Sequence, residues 1–201
     1  MRHEKQLRLN GHRVIAGIDE AGRGTMAGPL CVAAVILPER FRHKVLTDSK
    51  QLQEKQRDEL YEELVTDARV RWHCEVIAVE VIDRINILQA TWLGMRQCAL
   101  ALAADAALID GLPVRDFPVH QVAVVKGDSA SYSIAAASIV AKVTRDRFMR
   151  QLALEYPQYG FENHKGYCTR EHQERLRLHG PCAQHRRSFE PVAQRLLPLW
   201  D

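Results

Sequence analysis

No run of apolar residues in this chain approaches the ~20 that a membrane-spanning helix needs. The first thirteen positions hold no apolar stretch either. They are polar and basic, which reads against a secretory signal and makes a cytoplasmic protein the expectation. Paired cysteines are missing. Cys31, Cys74, Cys98, Cys168 and Cys182 are odd in number, and no two show the two-residue spacing of a redox or zinc motif. Reduced thiols in a reducing compartment follow. Repeats, low-complexity tracts and any long Pro/Gly-rich linker are also absent. One domain is therefore expected over residues 1–201, with a core at about 13–160 and a C-terminal appendage at about 161–201.

Strong net charge is lacking as well. The total of +3 does not announce a nucleic-acid partner by itself, but its distribution is uneven. From Lys142 onward eleven lysines and arginines oppose seven acids, an excess of four that leaves −1 over the first 141 residues. A basic C-terminal third suits a phosphate partner; a solvated helical face would have the same composition.

What the chain does have is 46% hydrophobic residues, enough for one substantial core. Residues 14–18 and 31–37 are β-branched runs on either side of a glycine-rich turn and read as adjacent strands, with 70–79 as a third. Residues 52–68 read as an exposed helix. Asp83 is expected to cap a further helix whose apolar stripe runs through Ile85, Leu88, Trp92, Met95, Ala99 and Leu102. Short buried strands at 107–109 and 121–125 follow. A second strong helix carries Ile134, Ala137, Ala141, Thr144, Phe148 and Leu152, closed by Pro157 and Gly160, and one more helix lies near 169–178. The order implies an α/β domain: a mixed central sheet flanked by helices, with a small helical C-terminal appendage.

Four acids stand where strands are expected to stop: Asp19 and Glu20, Asp110, and Asp128. Strand ends border the ligand crevice of open α/β sheets. Carboxylates gathered there repel one another unless protonated or neutralised. Mg²⁺ or Mn²⁺, hard ions that prefer oxygen ligands, are the natural partners. Acids beside a basic surface suit two-metal phosphodiester hydrolysis, with ions about 3.5–4 Å apart. Any one of these acids could instead cap a turn or helix, as Asp128 could before 129–133, but capping does not require the adjacent Asp19-Glu20.

The turn at 22–29 is glycine-rich, yet no Gly-Lys-Ser/Thr follows, and a strand begins where a dinucleotide fold needs a helix. Its glycines let backbone amides approach a ligand closely. His164, Cys168, His172, His179, Cys182 and His185 hint at zinc, but their spacings match no paired-ligand pattern. Lys165, Arg186 and Arg187 fit phosphate contacts better, or are ordinary surface charges.

Ten strings in order resemble bacterial ribonuclease HII. They are GIDEAGRG at 17–24, AGP at 27–29, DSKQL at 48–52, INILQATWLGM at 85–95 and LIDG at 108–111. VVKGDS at 124–129, AAASIVAKVTRD at 135–146, YPQYGF at 156–161, HKGY at 164–167 and HRRSF at 185–189 complete them. The resemblance implies a ribonuclease H-like fold and a Mg²⁺- or Mn²⁺-dependent endonuclease. Its substrates would be RNA–DNA hybrids and duplex DNA containing ribonucleotides, the latter incised on the 5′ side. It makes Asp19, Glu20 and Asp110 metal ligands and Asp128 the fourth catalytic carboxylate, also on the metal. It places Gly22, Arg23 and Gly24 at the ribonucleotide 2′-hydroxyl, Tyr167 against the following deoxynucleotide sugar, and Lys50 on a phosphate. Thr25 stands where proline is frequent in this family, Gln51 where a second lysine is common, and Cys168 where proline often follows the tyrosine. A monomer without an obligatory protein partner is expected. The rivals are the sister ribonuclease HIII, whose usual extra N-terminal domain has no room ahead of Val14, a silent hybrid-binding module, and a zinc-stabilised interaction protein.

Overall fold

The computed structural model describes residues 2–39, 41, 43, 46 and 52–196. Lys50 and most of the 48–52 string lie outside the described residues.

Five strands form one mixed sheet: β1 (Ile15–Ala21), β2 (Leu30–Ile36), β3 (Arg71–Ile77), β4 (Ala106–Asp110) and β5 (His120–Val124), in the order β3-β2-β1-β4-β5. β1 pairs antiparallel with β2, and β2 with β3. β1 pairs parallel with β4, and β4 with β5. β2 reads as an unbroken apolar run because both its faces are covered. Val32 and Ala34 face a core with Ala90, Met95, Cys98 and Ala99 of the helix Ile87–Ala101. Ala33 and Val35 face Leu60 and Leu64 of the helix Glu54–Thr66, and the alanine-rich start of Tyr132–Glu155. The two-residue alternation of a strand thus divides β2 between two helical layers.

In chain order the helices are α1 (Arg2–Leu9), α2 (Glu54–Thr66), α3 (Val79–Ile85), α4 (Ile87–Ala101), α5 (Gly127–Ala130), α6 (Tyr132–Glu155), α7 (Phe161–His164), α8 (Arg170–His179) and α9 (Glu190–Leu196). α6 lies directly on the β1 backbone. A Cβ on Gly17 would stand 2.1 Å from the Ser133 carbonyl carbon, so the contact tolerates no side chain.

Several local expectations change. Asp83 is inside α3, not a cap; its carboxylate accepts from the Arg187 and Ser188 amides, and Asn86 (φ 64°) caps α4 through Gln89 N–H. Starting after Asn86, α4 turns Ala90, Thr91, Gly94, Met95, Cys98 and Ala99 inward, which leaves Leu88 exposed. Ser131 caps α6, and Asp128 lies in the first turn of the short α5. The N-terminal stretch, read only as polar, forms α1: Leu7 is buried and Glu4 accepts from the Ser131 and Ser133 hydroxyls.

Candidate active site

The parallel register of β1 and β4 ends at Ile18 opposite Ile109, so Asp19 and Asp110 stand side by side just past its C-terminal end, with Asp110 still paired to Val124 of β5. On its other edge β1 continues: Asp19 pairs with Ala33 and Glu20 with Val32. The strand-stop expectation therefore holds on the β4 side, while the β2 side carries the acids through the sheet. Asp19, Glu20 and Asp110 line one cleft of about 440 Å³ together with Gly22, Arg23, Gly24 and Tyr167. Asp128 does not line it. Its side chain is buried, and its neighbour Gly127 donates an amide to Asp110 Oδ1 at 2.6 Å.

Asp19 accepts the Glu20 amide at 2.7 Å and the Ser138 hydroxyl, both uncharged donors. Burial, then Glu20 and Asp110, hold its carboxyl well above the usual range. Burial also raises Glu20, opposed by Arg23 at 3.5 Å, with Asp110 raising it further. Such a group is short of positive charge, and oxygen donors of this kind suit a hard divalent cation. Among the described residues no three His, Cys, Asp or Glu side chains converge into a ready cage. The donor set fits an ion that completes its shell with water and substrate oxygens.

The turns that line the cleft are held from behind by two buried arginines whose roles sequence reasoning missed. Arg145 donates to Pro29 O, Lys165 O, Ala27 O and Thr25 Oγ1 at 2.9–3.1 Å. Thr25 in turn donates to Gly22 O at 3.0 Å. Arg186 donates to Gly28 O and Arg23 O, and its Nη2 has no hydrogen-bond partner among the described residues. Both side chains are fully buried, so Arg186 is no surface phosphate contact; it braces the glycine turn from behind. Burial and the nearby Arg145 lower Arg186 to about 9. The signal for Arg145 was a cation four residues after Ala141 on an apolar helical stripe.

Gly22 adopts φ 92°, and a Cβ there would strike the Arg145 side chain. Gly166 (φ 81°) lies against Ala27 O, and its own carbonyl accepts Met26 N–H at 3.0 Å. These contacts lock the 165–167 turn to the glycine turn. Tyr167, 44% exposed, stands at the rim, with Lys142 Nζ 5.9 Å and Arg145 Cζ 6.0 Å from its ring centre. Arg57, Ser138 and Lys142 also line the cleft and were not singled out from sequence.

Residues 16–192 match the family model described as Ribonuclease HII. A ribonuclease HII of Xanthomonas campestris pv. campestris (strain 8004) is 52% identical over 188 residues, covering 92% of this chain and 78% of the relative. One from Bacillus cereus is 46% identical over 193 residues, covering 95% and 74%. Among solved structures, the RNase HII complexed with PCNA from Archaeoglobus fulgidus aligns with a TM-score of 0.78 at 28% identity, covering 89% of this chain and 96% of that one. The chain belongs to the ribonuclease HII family, divalent-metal-dependent hydrolases that cut RNA paired with DNA.

Proposed function

We propose that this cleft incises duplex DNA on the 5′ side of a single embedded ribonucleotide, and also cuts longer RNA tracts in hybrids. The carrying observation is that Asp19, Glu20 and Asp110 share one cleft with the Gly22–Gly24 turn and Tyr167. In this reading Asp19, Glu20 and Asp110 hold Mg²⁺ or Mn²⁺, which when bound supply charge neutralisation and an activated water. Asp128, buried and next to the Gly127 amide that bonds Asp110, completes the acid set or orients water. Water oxygen bonds to phosphorus, the bond from phosphorus to the upstream 3′ oxygen breaks, and that oxygen takes a proton. The products are a 3′-hydroxyl and a 5′-phosphate.

Discrimination falls to the turn. The carbonyls of Gly22 and Arg23 are engaged by Thr25 and Arg186 on the protein side, which fixes the turn's shape. A 2′-hydroxyl both donates and accepts, so a deoxyribose there leaves polar groups unpaired. Sites of that design reject the analogue by ~10⁴-fold or more. Tyr167 stacks on the sugar of the next deoxynucleotide, and Lys142, Arg57 and Lys50 supply positive charge for the backbone. The same reading takes residues 1–201 as one catalytic unit, working in the cytoplasm on nucleic acid.

End-labelled duplexes with zero, one or four ribonucleotides, incubated with Mn²⁺, Mg²⁺ or chelator, test this. The expected result is metal-dependent cutting at one and four ribonucleotides and none in all-DNA duplex. Cutting at four but not at one would contradict the reading and favour a ribonuclease HIII-like specificity; binding without cutting would leave a silent hybrid-binding module.

A further inference from the structure

Behind Tyr167 lie three buried histidines, His164, His172 and His185. His172 sits on α8, stacked on His164 with ring centres 4.1 Å apart. Its Nδ1 is 2.9 Å from Tyr167 O and its Nε2 is 3.1 Å from His185 Nε2. His185 Nδ1 accepts the Cys182 amide at 3.1 Å. His164 Nδ1 accepts the Gly166 amide, and its Nε2 faces Tyr159 O at 2.9 Å.

The protons in this set follow from the partners alone. A carbonyl only accepts, so His172 carries its proton on Nδ1 and donates to Tyr167 O. Its Nε2 is then an acceptor, and the proton between the two rings belongs to His185 Nε2. That leaves His185 Nδ1 as the acceptor the Cys182 amide requires. His164 is protonated on Nε2 by the same logic. Every ring nitrogen is satisfied with one proton per ring. The Tyr167 carbonyl is thereby held by two donors, His172 Nδ1 and the Thr169 amide at 2.8 Å.

We propose that His172 is a positioning residue for Tyr167: its Nδ1–H, fixed in that tautomer by His185 and Cys182, holds the Tyr167 backbone so that the ring stands at the cleft rim. This goes beyond the reading of Tyr167 as a stacking ring and rests on it. The set touches no reacting atom; it acts only through where it places an aromatic ring.

Asparagine and glutamine separate the two nitrogens of His172. His172→Asn can place an amide N–H where Nδ1 was, while His172→Gln can reach only the Nε2 position. Cleavage of the single-ribonucleotide duplex is measured for wild type, both variants, Tyr167→Ala and the double variant His172→Gln/Tyr167→Ala, with melting temperatures alongside. His172→Asn is expected to stay within about threefold of wild-type KM. His172→Gln is expected to raise KM about tenfold with a smaller change in kcat, and to add almost nothing in the Tyr167→Ala background. Equal KM for the two variants, or a full His172→Gln effect without the Tyr167 ring, overturns the proposal. An unimpaired Tyr167→Ala instead overturns the stacking reading on which it rests. Should the variants fold poorly, imidazole nitrogen NMR of the wild-type protein decides: His172 protonated on Nδ1 at pH 7 is expected, and protonation on Nε2 refutes the proposal.

Discussion

Along one wall of the cleft, Asp19, Glu20 and Asp110 project from strand ends, held by few bonds and pressed by one another's charge. Behind the turns of the other wall, Arg145 and Arg186 are buried cations, each bonded to backbone carbonyls and, among the described residues, to no carboxylate. Both walls carry charge that burial disfavours, but they use it differently. The acids keep their oxygens toward the cleft, where a cation can reach them. The arginines use most of their N–H groups in joining segments far apart in sequence, so their charge organises the turns. Removing an acid should cost function and relieve the fold; removing an arginine should cost the fold first.

The largest effect is expected on activity. Asp19→Asn or Asp110→Asn replaces a proposed anionic metal ligand by a neutral amide, and cleavage at millimolar Mg²⁺ should fall at least ~10³-fold, about 4 kcal/mol in barrier. Near-normal turnover would erase the functional side of the contrast. Next comes Arg145→Met, which leaves four buried acceptors without their donor. It should cost about 3–5 kcal/mol and lower the melting temperature by roughly 10 °C. Lysine should not rescue it, because an ammonium cannot reproduce the guanidinium fork. A stable Arg145→Met protein would show that the carbonyls find other partners.

The acid wall and the histidines behind Tyr167 should differ in their response to pH. Burial lowers His172 to about 3 and His185 to about 4, against 6.5 for an unfolded histidine. Their neutral forms favour the fold, so that stability is complete above 6.5 and is lost as pH falls toward the folded values. Each contributes a slope of up to about 1.4 kcal/mol per pH unit. Asp19 has the opposite sign: its folded value is raised, so stability without metal declines as pH rises from 3.8 through that value. Chemical denaturation from pH 4 to 8 in chelator should show the two opposed contributions, and Asp19→Asn should remove only the one that falls with rising pH. The smallest effect belongs to Thr25→Val, which removes the hydroxyl between Arg145 and Gly22 O. About 1–2 kcal/mol of stability should go, with some loss of ribonucleotide preference; equal preference would mean the turn keeps its shape unaided.

Thr25 illustrates what the sequence could not tell. It was visible as a departure from proline, but not as a hydroxyl bridging two segments. The strands were legible because β1, β2, β4 and β5 are compact apolar runs. The acids were legible because they follow such runs. Of the stripe's residues, Ile85, Trp92, Met95, Ala99 and Leu102 pack on the core, and Leu88 does not because the apolar pattern runs across the break at Asn86. α1 went unread because it buries only Leu7 among its eight residues. Arg145 and Arg186 lay inside recognised strings, yet nothing in a string says that a cation points inward to carbonyls as far as 163 positions away.

Central to this contrast is the proposal that the wall of Asp19, Glu20 and Asp110, pressed by its own charge, is relieved by a divalent cation. Thermal unfolding of wild type and Asp19→Asn at pH 8, in chelator and in millimolar Mn²⁺, tests it most directly. Asp19→Asn is predicted to melt a few degrees above wild type in chelator, and Mn²⁺ to raise the melting temperature of wild type far more than that of the variant. A variant that melts at or below wild type in chelator, with the same Mn²⁺ shift in both proteins, would contradict it.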